Sequence, residues 1–361
     1  MTARVHAIAA TLTALSLLLG CTRSETPDAA MAASAGDTNR SASVLAPRVG
    51  GLAPAGTAAD VYWQRFASNV VTRSNGRIAP VMLTRGEVGS DEQIFNGLRR
   101  NRLQLAVNGS HSISTAVPEF SVLGLPYAFD SDAEAEFVAS GYLAARLDPL
   151  LRKQGLRLLR LLPMGFHNLY AQRPIRTPAD LQGLRVRQPG DPASAAYAQA
   201  LDLDLTPLPS SEIVTALQTG LIQAGTTVTL NYLWGGMSRD APVLTLTRHA
   251  YLFNAVLANE TWWNGLTTAD RDLIEGAFGS ATEYGELMRA AEVRDLAAAS
   301  ARGSVTLLEL TTAELAQWRA PTARVAQRLI GELGGESQSV YDAIVAGRLA
   351  WALRRQESSA P

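Results

Sequence analysis

Apolar positions along this chain follow two spacings, and the chain switches between them repeatedly. Asp60 to Arg73 places Val61, Phe66, Val70 and Val71 near helical spacing. Asn75-Gly76 breaks that pattern as a turn, and Ile78 to Leu83 reads as a strand. Gly86 and Gly89 flank a loop, after which Asp91 can cap a helix running to Arg100. Leu103 to Val107 is the next strand and ends in Asn108-Gly109-Ser110-His111. A helix is predicted near Ser131 to Leu150. Leu156 to Leu162 then forms an apolar strand suited to burial on both faces. Alternating strands and helices predict an α/β fold with a mainly parallel sheet. Ligands in such sheets lie beyond the carboxyl ends of the strands, so the loops after Val107, Leu162 and Val186 are the places to look.

The second half repeats the theme. Ser211 to Thr219 predicts a helix with Ile213, Val214, Leu217 and Leu221 on one side, ended by Gly220. Tyr251 to Ala258 reads as a strand. Thr268 to Arg302 is the longest helical pattern, with Thr267 or Thr268 to cap it and Gly303 to close it. A helix of roughly 35 residues would be about 50 Å long, more than the width of one small domain. Gly276, Gly279 and Gly285 are points where it can bend. Ser304 to Leu310 returns as a strand, and Thr312 to Arg355 is helical, expected to pack outside the second half of the fold.

The stretch from Pro174 to Thr227 carries the candidate chemistry. Thr177-Pro178 opens a short helical turn that Gly183 stops. Leu184 and Val186 alternate with Arg185 and Arg187, so both arginines face one side of a strand. A guanidinium there can fork onto a carboxylate, or both can be solvated side chains on an exposed face.

This stretch resembles the signature of the substrate-binding proteins of tripartite ATP-independent periplasmic (TRAP) transporters, the DctP family. That signature has the form "pi-x-t-x-x-D-L-x-G-L-K-I-R-V-P", followed by "A-L-Q-T-G-x-x-D-G-x-E-N". Here it runs Pro174-Ile175-Arg176-Thr177-Pro178-Ala179-Asp180-Leu181-Gln182-Gly183-Leu184-Arg185-Val186-Arg187, then Ala216-Leu217-Gln218-Thr219-Gly220. Gly76-Arg77-Ile78, Val88-Gly89-Ser90-Asp91, Leu125-Pro126-Tyr127-Ala128-Phe129 and the run from Ala258 to Leu266 are similar to the family as well. The resemblance implies a two-lobed periplasmic-binding-protein-like fold (type II), with two mixed sheets flanked by helices and a long helix bracing both lobes. It implies lobe I from 44–163 with 252–291, and lobe II from 164–251 with 292–355. It also implies that Arg187 clamps an organic acid in the cleft between the lobes.

Departures from the family pattern shape the remaining expectations. His167 stands where many members carry a second arginine; it can donate to a ligand oxygen or be satisfied by local backbone. Thr227 stands at the usual asparagine, within Gln223-Ala224-Gly225-Thr226-Thr227, and Thr226 could substitute for it. Gly109 and Ser110 replace the glutamate and serine of sialic-acid-binding members, and Ser112 replaces an arginine, so sialate is not the expected ligand. Asp91, Ser110 and Asn108 are candidate polar contacts on the first lobe. Trp234 and Tyr232 could wall the cleft or fill the core.

Composition narrows the classes. The 361 residues carry a formal net charge of −1 and 47% hydrophobic residues, with no basic excess to suggest nucleic acid. Cys21 is the sole cysteine, which excludes an intrachain disulfide and a cysteine metal cluster. Arg4 precedes an apolar run, Val5 to Leu19, and Leu18-Leu19-Gly20-Cys21 matches a bacterial lipoprotein box. Residues 1–20 are expected to be a lipoprotein signal peptide, Cys21 the lipidated residue, and 21–43 a tether holding the protein at the periplasmic side of a membrane. There is no His-Glu-x-x-His, Gly-x-Ser-x-Gly or phosphate loop; Glu87 and Asp91 could form a carboxylate pair, or be solvated loop side chains. Four histidines, one of them His6, leave little for a metal site. No cofactor is expected. The expected partners are a small organic acid and TRAP permease subunits, with a sensor serving a signalling receptor as the alternative.

Overall fold

The computed structural model describes residues 44–358. Within it, β1 (Arg48–Gly50), β2 (Val81–Leu83) and β3 (Leu105–Gly109) pair in parallel, joined by α1 (Ala58–Arg73) and α2 (Asp91–Arg99). Short α3 (Ser110–Ile113), α4 (Asp132–Val138) and α5 (Ala144–Arg152) lead into the long strand β4 (Leu156–Ala171). A second set of parallel strands follows: β5 (Arg185–Gln188), α6 (Pro192–Ala200), β6 (Asp204–Pro207), α7 (Ile213–Gln218) and β7 (Ala224–Val228). After α8 (Thr229–Trp234) comes the second long strand, β8 (Val243–Asn259), then α9 (Glu260–Gly265), α10 (Thr268–Ala277), α11 (Ala281–Ala301), β9 (Thr306–Leu308), α12 (Thr312–Thr322), α13 (Val325–Leu333) and α14 (Ser337–Ser358).

Two separate sheets were expected. The described strands instead form one hydrogen-bonded path, β2-β1-β3-β8-β4-β7-β5-β6, with β9 beside β8. The reason is the length of β4 and β8, which pair antiparallel from Leu156↔Asn259 to Ala171↔Val243 and run through both halves. Their register shifts between Pro163 and Gly165, and again between His167 and Leu169. Gly165 sits at φ +123°, a conformation that side chains disfavour. Such an irregularity lets a sheet bend locally.

Helices cover both faces of each half. Ile94, Phe95, Phe120, Val122 and Phe253 fill one core of the first half; Tyr62, Trp63, Phe66, Phe278 and Tyr284 fill the other. The buried stripe of α1 is therefore Tyr62, Trp63, Phe66 and Val70, while Val61 and Val71 are exposed.

The long helix expected over Thr268–Arg302 is two helices. Phe278 turns extended and stacks on Phe66 at 4.0 Å, and Ser280 starts α11 with a capping box completed by Glu283. The bracing role falls to α11: Tyr284 and Met288 pack in a core of the first half and Ala299 in one of the second. The predicted helix at Ser131–Leu150 is likewise interrupted, by a π-turn over Ala139–Leu143. The C-terminal helices do not all stay on the second half. Trp318 of α12 packs there with Tyr197 and Val186. Val340 and Ile344 of α14 join Ile94 and Phe120, and Arg348 pairs with Glu134.

Candidate functional site: the cleft at the strand ends

The carboxyl ends of the parallel strands in both halves converge on one cleft. It comprises adjoining spaces of about 350 Å³, 170 Å³ and 30 Å³, and His111 borders all three. Gly109–Ser110 follow β3, Gln188–Pro189 follow β5, Leu208–Ser210 follow β6, and Asn231 and Trp234 follow β7.

Arg187 lies in the wall of the largest of these three spaces and is only 2% exposed. Its Nε and Nη2 donate to the Leu208 carbonyl at 3.0 and 2.8 Å, and Nη1 donates to the Thr226 carbonyl at 3.0 Å. No carboxylate lies within ion-pair distance among the described residues. Burial therefore pulls the guanidinium pKa down from its ordinary value. Arg185 behaves differently: it is exposed, and its guanidinium caps the Gly220 and Leu221 carbonyls after α7. The shared strand face was correctly read, but only Arg187 is in the cleft.

Next to Arg187, Gln188 accepts from the Thr226 hydroxyl at 2.6 Å. Thr226 thus orders both residues, one through its carbonyl and one through its hydroxyl. Thr227, the expected contact, is buried on β7 opposite Asn168 and borders none of the three spaces. Gly225 explains part of the local sequence. A Cβ there would collide with the Tyr170 hydroxyl and stand 2.9 Å from the Arg187 Cβ.

His167 borders the smallest space, and its ring makes no hydrogen bond to the described residues. The local backbone does not satisfy it. Burial, with His249 second, holds it well below the usual imidazole pKa. His249 lies 6.0 Å from it, stacks on Tyr197 at 4.3 Å, and is pushed down to about 3 by burial. All three histidines after His6 thus border one chamber. His111 and His249 were not singled out in the sequence, where nothing but their rarity marks them.

On the facing wall, Asp91 opens α2, but the cap is Ser90, with Gln93 completing its capping box. Asp91 instead accepts from Asn108 Nδ2 at 2.9 Å and from the Gly109 N–H at 3.1 Å, and lies 3.7 Å from His111 Nε2. Burial raises its pKa, with His111 opposing. Asn108 is a brace for Asp91 and borders none of the three spaces; Ser110 borders the smallest. Trp234 walls the cleft and donates to Asp295 at 3.0 Å. Tyr232 is fully buried, with its hydroxyl on the Ala241 carbonyl, and belongs to the core. Glu87 and Asp91 do not share a space: Glu87 accepts from the Arg85 N–H and borders a groove elsewhere. Cys21 and the signal and tether segments lie outside the described residues.

A family model for "Bacterial extracellular solute-binding protein, family 7" matches residues 50–332. The ectoine-binding periplasmic protein TeaA of Halomonas elongata is 26% identical over 294 residues, covering 80% of this chain and 85% of that protein. The C4-dicarboxylate-binding periplasmic protein DctP of Rhodobacter capsulatus is 26% identical over 275 residues, 76% of this chain and 83% of that protein. Among solved structures, the galactonate complex of the sugar acid binding protein of Advenella mimigardefordensis superposes with a TM-score of 0.78 at 24% identity, covering 84% of this chain and 98% of its own. With its strand ends, cleft and family match in agreement, the chain belongs to the bacterial extracellular solute-binding proteins of family 7, the DctP substrate-binding proteins of TRAP transporters, which bind and deliver solutes rather than turn them over.

Proposed function

We propose that this protein captures a small carboxylate-bearing solute in the cleft, with Arg187 as its anchor. The carrying observation is the buried guanidinium: its three hydrogen bonds go to neutral backbone carbonyls, and no carboxylate among the described residues forms an ion pair with it. A buried charge left without a counter-ion is costly, and an arriving carboxylate relieves that cost. Its fork also leaves N–H groups on Nη1 and Nη2 for a ligand oxygen. Ectoine, C4-dicarboxylates and galactonate, named for the relatives, all carry a carboxylate.

A ligand that touches both walls would favour their approach, and the loaded form would be presented to the permease subunits. The lobe boundaries fall at 163/164 and 251/252 in this reading, supported by the register shift at Pro163/Gly165. Cys21 would carry the lipid anchor, with residues 21–43 as tether. Replacing Cys21 by Ala should release the protein from the membrane and abolish labelling with a fatty-acid analogue; persistence of either overturns the anchor. The ligand reading is tested by thermal shifts against organic acids, since a ligand of the folded state raises the melting temperature by mass action. At least one acid should stabilise the wild type and not Arg187→Ala. Equal stabilisation of both would move the anchor elsewhere.

A further inference from the structure

The smallest space in the cleft is lined by polar groups that the protein leaves unpaired. Gln188 Nε2, Ser121 Oγ and His111 Nδ1 are each buried without a hydrogen-bond partner, and all three residues border this chamber. Buried polar atoms are rarely left so, and four around one cavity, the Tyr197 hydroxyl being the fourth, point to an occupant. The Gln188 amide is oriented by the Thr226 hydroxyl on its Oε1, which leaves the NH2 group as the free donor. At about 30 Å³ the chamber has room for roughly two water-sized groups. It adjoins the space beside Arg187, because His111 and Pro189 border both.

No arginine or lysine lines the chamber. His167 and His249 are held in the neutral form by burial. Its only carboxylate, Asp191, is engaged as the cap of α6, accepting from Ala193 N, Ser194 N and Ser194 Oγ. That fixed negative charge opposes a second anion. Resting on the reading of Arg187 as anchor, we propose that the ligand is a monocarboxylate whose other end is a neutral hydrogen-bonding group. Gln188 and Ser121 receive that end; the free Gln188 donor selects against an apolar tail and the Asp191 charge against a second carboxylate. A site built to hydrogen-bond a ligand group rejects an analogue lacking it, because its own buried donors then stay unpaired.

Titration of the full chain with two matched trios tests this: hexanoate, gluconate and glucarate; butyrate, 4-hydroxybutyrate and succinate. Within at least one trio the hydroxy monocarboxylate should bind about tenfold or more tighter than the plain acid and the dicarboxylate, on the order of one buried hydrogen bond. Gln188→Met should lower that affinity about tenfold and leave the plain acid nearly unchanged. Ser121→Ala, which touches neither Arg187 nor Thr226, should lower it severalfold with the same selectivity. A dicarboxylate that binds as well or better, or variants that weaken all acids alike, overturns the chamber and leaves the Arg187 anchor standing. If none of the six acids binds, the anchor reading falls and this inference with it.

Discussion

The two walls of the cleft carry charges of opposite sign, one buried and one half-buried, and they treat them differently. On one wall Arg187 rises from β5, between β7 and the edge strand β6, and its hydrogen bonds go to the neutral carbonyls of Leu208 and Thr226. On the other, Asp91 is served by the Asn108 amide, the Gly109 N–H and the nearby His111 ring. Burial works against both charges, but the first is tied only to neutral carbonyls while the second has two N–H donors and an imidazole beside it. Under the proposed reading, the arginine wall selects the charge of the ligand, while the aspartate wall shapes the cleft around it.

The largest effect should therefore come from Arg187. Arg187→Met should weaken a bound carboxylate by at least about 100-fold, on the order of 3 kcal/mol, measured by calorimetric titration. A loss below tenfold would remove the asymmetry between the walls. Gly225 sharpens the same point from behind. Gly225→Ala pushes a methyl into the Tyr170 hydroxyl and the Arg187 stem. It should cost about 1–3 kcal/mol in denaturant unfolding and weaken binding by displacing the guanidinium. Unchanged affinity would mean the position of Arg187 matters less than its charge.

The arginine wall was legible in the sequence because alternation on a short strand is a local property. Arg187, the turn at Thr177-Pro178 and the helix after Ser210 are all set by neighbours in the chain. The breaks were harder. Ser280 and Glu283 spell a capping box inside an otherwise helical stretch, but Phe278 leaves the helix to stack on Phe66, 212 positions earlier by number (278 − 66). The continuous sheet was illegible for the same kind of reason. Pro163 and Gly165 look like the end of a strand, and only pairing with β8 carries β4 past them. Thr226 was preferred less than Thr227 because a family position says nothing of which neighbour a hydroxyl reaches. His249 had no signal beyond its scarcity.

Histidine burial in the smallest space adds a smaller effect. The folded-state pKa of His249 lies near 3, below its unfolded value of about 6.5. As pH falls below about 6.5 the unfolded chain takes up a proton that the folded chain refuses. Stability should thus be level above that point and decline toward pH 3, by up to about 1.4 kcal/mol per pH unit for this one group. His167 shifts in the same direction. His249→Phe keeps a ring against Tyr197 and should flatten the decline between pH 6 and 4 in thermal melts. An unchanged slope would mean that ring is not buried neutral.

The smallest effect should come from Asp91, and it tests the comparison most directly. Asp91→Asn keeps an oxygen to accept from the Gly109 N–H while removing a negative charge that borders the space beside Arg187. Because burial already penalises the Asp91 charge, losing this acceptor should change stability by less than about 1 kcal/mol. Affinity for a carboxylate should hold or rise by a few-fold, because the variant repels an anion less. If Asp91→Asn instead weakens binding as much as Arg187→Met, the aspartate is not spent on its own wall. It would then be a direct partner of a donor on the ligand, and the cleft would recognise a solute carrying both signs of charge.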